Sequence, residues 1–220
     1  MSEDHSPERE SRPAERATVG DLIESARRLS ARAARTFLGV TGAPGSGKST
    51  VAQAIAGALG SQAVLLSMDG FHLANDELVR LGLLDRKGAP ETFDAGGFVH
   101  ILRRLHNDDE AVVYAPRFDR SLEESIGSAV PVPAAVPLLI VEGNYLLYDE
   151  PGWNDVAGLL DECWYLDPGE EKRLAWLIAR HQRYGRDLTE AAERSYGSDQ
   201  RNAELIMNTR FRASRVIEVL

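Results

Sequence analysis

"GAPGSGKST" at positions 42–50 follows the apolar run "TFLGV" (36–40) and precedes "VAQAIAGAL" (51–59). The nonapeptide satisfies G-x-x-x-x-G-K-[ST], with the strand before it and the helix after it that this pattern requires. Gly42, Gly45 and Gly47 let the backbone turn so that successive loop N–H groups point inward. The following helix N-terminus adds positive potential, which makes the loop a cradle for phosphate. The nucleotide-binding set is therefore Gly42, Ala43, Pro44, Gly45, Ser46, Gly47, Lys48, Ser49 and Thr50. Lys48 is placed for the β- and γ-phosphates, Ser49 for Mg²⁺ and Thr50 for the α-phosphate.

Outward from this loop, strands alternate with helices, the pattern of a parallel sheet covered on both faces. "AVLLSM" (63–68), "VPLLIV" (136–141), "CWYLD" (163–167) and "SRVIEV" (214–219) read as further strands. "VPLLIV" is apolar throughout, as a strand buried on both faces must be. Residues 48–59 read as the first helix of the core, and residues 94–105 as another, capped by Asp94. In "DPGEEKRLAWLIARHQRYGR", Asp167 reads as cap, Pro168 as first position and Glu170 as the capping-box partner. Gly185 and Gly197 punctuate two more helical segments. Upstream, "TVGDLIESARRLSARAA" has helical spacing, with Thr18 as N-cap. Residues 1–17 are polar, carry mixed charge and read as a disordered leader. Residues 18–220 then form a single domain. Residues 111–137 fit helix and core strand poorly and suit a short hairpin or lid-like excursion beside the sheet.

The 220 residues suit one ordinary domain, and 43% apolar content is enough for a core. A formal charge of −9 argues against nucleic acid or an anionic membrane as partner. One cysteine, Cys163, excludes an internal disulfide. No run approaches the ~20 apolar residues of a membrane span, and no signal-peptide pattern opens the chain, so a cytoplasmic protein is expected.

Two carboxylates abut apolar strands: Asp69 in "AVLLSMDGFH" and Glu142 in "VPLLIVEGNYLL". In a parallel sheet whose first strand feeds the phosphate loop, neighbouring strands end at the same crevice. Asp69 can there accept the proton of an acceptor hydroxyl, and Glu142 can position Mg²⁺ through its water shell. The plain alternative is that each caps a turn or pairs with an arginine. Together with Lys48 and Ser49 they point to an ATP- and Mg²⁺-dependent kinase acting on a small-molecule hydroxyl. A guanine-specific switch would need Asn-Lys-x-Asp, and an ABC-type ATPase Leu-Ser-Gly-Gly; neither occurs. An acceptor-independent ATPase stays open.

In this order and spacing, "GAPGSGKST", "SMDGFH", "RKGAPETFD" and "LLIVEGNYLL" resemble the P-loop kinases that include uridine kinase, pantothenate kinase and phosphoribulokinase. Within that group the chain is most similar to short bacterial proteins labelled as nucleoside/nucleotide kinases or fructose-transport-system kinases. The resemblance implies a P-loop three-layer α/β/α sandwich with a mainly parallel sheet, an acceptor-side excursion and a helical lid over residues 168–187. It places Asp69 at the catalytic-base position and Glu142 at the Walker-B-like position. Uridine kinases of the group hold the nucleoside with an aromatic and an aspartate where this chain has Lys87 and Gly88, so the resemblance favours a sugar or a pantothenate-like alcohol over uridine.

Arg86 and Lys87 suggest an acceptor side that tolerates negative charge, or else a solvated charge pair. "YAPRFDRS" (114–121) falls at the family's acceptor element, which makes Phe118, Asp119 and Arg120 candidate acceptor contacts. Asp119 suits a hydroxyl-rich acceptor, and Arg117 or Arg120 an anionic one. His72 faces the acceptor or is a structural histidine. Arg173, Arg180 and Arg183 recur on one helix face, with Arg180 and Arg183 the preferred pair to stabilise the moving phosphoryl group. Leu174, Leu177 and Ile178 form the packing face, and Trp153, Trp164 and Trp176 read as core or interface residues. Homodimers are common among such kinases, so the resemblance admits one here.

Overall fold

The computed structural model describes residues 13–107 and 109–220. In chain order the strands are β1 (Glu15–Ala17), β2 (Thr36–Thr41), β3 (Ala63–Ser67), β4 (Val112–Asp119), β5 (Glu124–Pro133), β6 (Leu138–Glu142), β7 (Glu162–Leu166) and β8 (Arg215–Val219). The helices are α1 (Val19–Ser30), α2 (Lys48–Leu59), α3 (Asn75–Leu81), α4 (Ala95–Asn107), α5 (Glu170–Arg183), α6 (Leu188–Tyr196) and α7 (Ser198–Met207).

Six strands form one parallel sheet in the order β1-β8-β7-β2-β6-β3. Side chains alternate across a strand, and β6 shows what that does when both faces are covered. Leu138 and Ile140 join Leu22, Val51 and Ile55 on the side of α1 and α2, while Leu139 and Val141 join Phe98, Leu102 and Val113 on the opposite side. This is the expected α/β sandwich. Strands β4 and β5 pair antiparallel apart from the sheet, the hairpin that residues 111–137 suggested.

Local codes explain the element ends. Thr18 caps α1 in a full capping box, its Oγ1 accepting from Asp21 N while Asp21 Oδ2 accepts from Thr18 N. Asp94 accepts from Gly97 N at 2.8 Å and starts α4. Two expectations need correction, and one element was not foreseen. Residues 15–17 are not leader but strand β1, in parallel register with β8; residues 1–12 of that reading lie outside the described residues. Asp167 does not cap α5: Gly169 holds the N-cap position without a side-chain bond, and Asp167 Oδ2 instead takes Arg210 Nε at 3.0 Å. Helix α3 was not anticipated, because its seven residues are too short to show a period.

None of the described helices is long and apolar enough to cross a membrane.

Candidate active site

The phosphate loop joins β2 to α2, and its shape depends on space. Gly47, at φ +84°, is the N-cap of α2. A Cβ on Gly45 would lie 2.5 Å from the Arg173 carbonyl oxygen and 2.9 Å from Leu177 Cβ, so helix α5 rests directly on the loop. Arg173, 3% exposed, donates from Nη1 to Pro44 O at 3.0 Å and pairs with Glu170 at 2.8 Å. It is a strut rather than part of a basic stripe. Trp176 is 46% exposed, with its ring beside Gly47, and so lies at the surface; Trp153 and Trp164 are core.

Lys48 is buried, and burial lowers its proton affinity against the pull of Glu142. Among the described residues it has no ion pair, and neither does Arg180, which reaches the same cleft from α5. Burial, then the facing Arg120, also weakens Arg180's hold on its proton. Two desolvated cations without carboxylate partners beside a glycine cradle fit a polyphosphate.

Register explains how the carboxylates meet. Ser67 of β3 lies opposite Glu142 of β6, and Asp69 follows in the short turn Met68–Phe71. Glu142 is buried and accepts from Ser49 Oγ at 3.0 Å and Ser67 Oγ at 2.9 Å. Burial raises its pKa, opposed by Lys48. Ser67 Oγ also accepts from Asp69 N at 3.3 Å, linking the two acids. Sequence reasoning missed Ser67, although a serine two residues before an aspartate at a strand end is an ST-turn signal. No group of three or more His, Cys, Asp or Glu side chains suited to a metal occurs among the described residues. Ser49 and Glu142 nonetheless fit Mg²⁺, which takes one or two protein oxygens and completes its shell with phosphate and water.

The remaining wall comes from the hairpin, the loop before α4 and helices α5–α7, around a cleft of about 420 Å³. Arg120 donates to Asp69 Oδ2 at 3.0 Å. His72 packs 4.0 Å from the Phe93 ring and 4.8 Å from the Phe118 ring (centroid distances), with Nδ1 2.8 Å from the Asp69 carbonyl. Lys87 Nζ lies 5.0 Å from the Phe118 ring centre.

Thus His72, Lys87, Phe118 and Arg120 line the cleft, as do Lys48, Ser49, Asp69, Glu142 and Arg180. Of the catalytic and acceptor candidates, Arg86, Arg117, Asp119 and Arg183 do not. Arg86 faces outward and pairs with Glu91 at 2.5 Å. Asp119 closes the hairpin turn, accepting from Ser121 N at 2.9 Å. Arg183 is exposed, three positions beyond Arg180 on α5 and turned away from the cleft lining. Missed were Phe93, Glu123, Asn144, His181, Tyr184, Arg194, Asp199 and Asn202. Most lie on α5–α7 and the turns joining them, where nothing local in the sequence marks the face turned to the cleft.

A phosphate loop on a parallel sheet, with Glu142 ending the adjacent strand β6 and Asp69 just past the end of β3 beyond it, defines the class of P-loop kinases. The chain belongs to the Phosphoribulokinase / Uridine kinase family, whose model matches residues 37–218. Members of the family are ATP-dependent kinases, and this chain is one of them. It is 33% identical over 201 residues to a protein of Schizosaccharomyces pombe named "putative uridine kinase", covering 86% of each chain. It is 29% identical to a pantothenate kinase of Mycolicibacterium gilvum over 74% of this chain, but spans only 54% of that protein. A crystal structure described as a "putative fructose transport system kinase" from Silicibacter sp. TM1040 superposes with TM-score 0.81 at 36% identity, covering 91% of this chain and 98% of that one.

Proposed function

We propose that the cleft transfers the γ-phosphoryl group of ATP to a hydroxyl of a small metabolite, a sugar or a pantothenate-like alcohol. The observation that carries this is the convergence of Lys48, Arg180, Asp69 and Glu142 on one cleft whose far wall is aromatic and cationic. The acceptor oxygen bonds to the γ-phosphorus, the bond to the bridging oxygen breaks, and its electron pair leaves with ADP. Asp69 takes the hydroxyl proton; its Oδ2 is engaged by Arg120, which leaves Oδ1 for that task. Lys48 and Arg180 stabilise charge on the moving group and the leaving oxygens. Ser49 and Glu142 hold Mg²⁺, which when bound neutralises phosphate charge.

The name of the fission-yeast relative favours a nucleoside acceptor instead. Lys87 and Gly88, lining the cleft where a nucleoside-gripping carboxylate is needed, count against it.

The test is ADP release from ATP with a panel of sugars, pantothenate and nucleosides. Asp69→Asn is expected to lower turnover at least ~10²-fold, the usual reach of a general base. The same variant should keep the thermal shift given by a nonhydrolysable ATP analogue, about 2.7 kcal/mol of apparent stability at a hundredfold excess over Kd. ATP consumption that ignores every acceptor and survives Asp69→Asn would make the chain a hydrolase.

A further inference from the structure

The cleft contains two groups of cations. The charges acting on Lys48 are those of Glu142, Arg180, Asp69 and Arg120, whereas those acting on Lys87 are Glu123, Glu124 and Arg194. The first group surrounds the reacting phosphate in the reading given above. The second has no task in that reading, although Lys87 in sequence suggested a side tolerant of negative charge.

Lys87 and Arg194 are held close together although their charges repel. Arg194 Nη2 donates to the Lys87 carbonyl at 3.3 Å, and Lys87 Nζ donates to Asn75 Oδ1 at 2.7 Å and Glu123 O at 2.6 Å. These acceptors are neutral, and an ammonium has a third proton to give. Among the described residues, neither Lys87 nor Arg194 has a carboxylate within ion-pair distance. Of the cleft's acids on this side, Asp199 is engaged with His181 at 2.7 Å, and Glu123 presents its carbonyl to Lys87. Such an arrangement is unexpected in a chain with 34 acidic and 25 basic residues.

The segment carrying Lys87 is also fixed in place. Gly88 adopts φ +103°, its carbonyl accepts from Tyr145 Oη at 2.7 Å and Asn202 Nδ2 at 3.2 Å, and its N–H donates to Thr92 Oγ1 at 3.0 Å. Donors positioned in advance bind an anion without the cost of ordering them.

We infer that Lys87 and Arg194 form an anion grip in the acceptor subsite, so that the phosphate acceptor is a small hydroxylated molecule bearing its own carboxylate or phosphate. This rests on the kinase reading of the cleft and narrows its substrate class. A neutral sugar or nucleoside would leave Lys87 with only the more distant pull of Glu123 and Glu124 and neither cation with a carboxylate within ion-pair distance, whereas an anionic group gains charge-assisted hydrogen bonds from each. The Phe118 ring beneath Lys87 supplies an apolar floor for the carbon skeleton between the anionic group and the hydroxyl facing Asp69.

The test uses the full chain with ATP and matched acceptor pairs: glycerol with glycerate, glucose with gluconate, ribose with ribose 5-phosphate. The charged member of at least one pair is expected to have a kcat/KM about tenfold or more above its neutral partner, a difference of about 1.4 kcal/mol. Whether the carboxylates or the phosphate respond names the anion. Lys87→Met and Arg194→Met should raise KM for that acceptor about tenfold or more with a smaller effect on kcat, and Lys87→Arg should restore most of the loss. Equal use of neutral and charged partners overturns the grip and leaves the kinase reading standing. If no acceptor raises ADP release, the kinase reading fails, and calorimetric titration of the ADP-loaded chain with the same compounds decides the grip. Saturable binding of a charged member that K87M and R194M abolish sustains it. No binding, or binding indifferent to both substitutions, rejects it.

Discussion

The Nδ1 of His72 lies 2.8 Å from the Asp69 carbonyl, and a carbonyl only accepts, so Nδ1 carries the proton and Nε2 keeps a lone pair. Burial between two phenylalanine rings depresses the pKa below its ordinary 6.5, against the opposing pull of Asp69. The consequence for stability has a definite sign. Below pH 6.5 the unfolded chain takes up a proton that the folded ring still refuses, so the unfolded state binds more protons and stability falls as pH falls. Denaturation midpoints measured from pH 7.5 down to 5.5 should therefore decline in the wild type and decline less in His72→Gln. Parallel slopes would mean that the ring titrates freely in the folded protein. His72 stays neutral above pH 6.5, so it presents to the cleft a hydrogen-bonding and packing group and not a charge.

Hairpin β4–β5 packs against the turn that carries Asp69 at a point with no room for a methyl group. A Cβ on Gly70 would lie 2.5 Å from the Pro116 carbonyl oxygen, backbone against backbone, where nothing flexible can yield. Pro116 sits at the register shift in β4, where the irregularity bends the strand. Gly70→Ala should push the hairpin away, at a cost of about 1–3 kcal/mol in denaturant-unfolding stability. It should also lower kcat, because Arg120 rides on the displaced hairpin and would lose its contact with Asp69. Stability lost with kcat intact would show that the hairpin does not position Arg120. At this scale much was readable. The phosphate loop, the apolar strands and the Thr18 and Asp94 caps are short-range codes, complete within a few residues. The hairpin was readable only as a region fitting neither helix nor core strand, and its contact with Gly70 crosses more than forty positions. Asp119 misled because its turn-closing bonds to Ser121 look, in sequence, like a free carboxylate beside the acceptor.

The whole molecule brings together what the linear chain separates. Lys48, Asp69 and Glu142 could be placed near one another in advance, since sheet geometry puts strand ends at a common crevice. Arg194 and Asn202 could not, because their approach depends on how α5–α7 fold back over that crevice. Arg173 joins the two regions: it donates to Pro44 O in the loop, to Glu170 one turn earlier in α5 and to Gln200 in α7. Sequence periodicity grouped it with Arg180 and Arg183, yet the three have separate fates: one buried against the loop, one in the cleft and one in solvent. Replacing Arg173 by leucine keeps an apolar filler but strands the Pro44 carbonyl, an unmet buried acceptor costing about 1–3 kcal/mol. Glu170, at 50% side-chain exposure, can rehydrate and adds little to that cost. Arg173→Leu should therefore lower the urea midpoint and, because Pro44 shapes the phosphate loop, raise KM for ATP about tenfold, about 1.4 kcal/mol. KM for the acceptor should change less, since Lys87 is anchored by Arg194 independently of Arg173. A lower urea midpoint with both KM values untouched would assign Arg173 to packing alone and leave the loop's shape to its glycines.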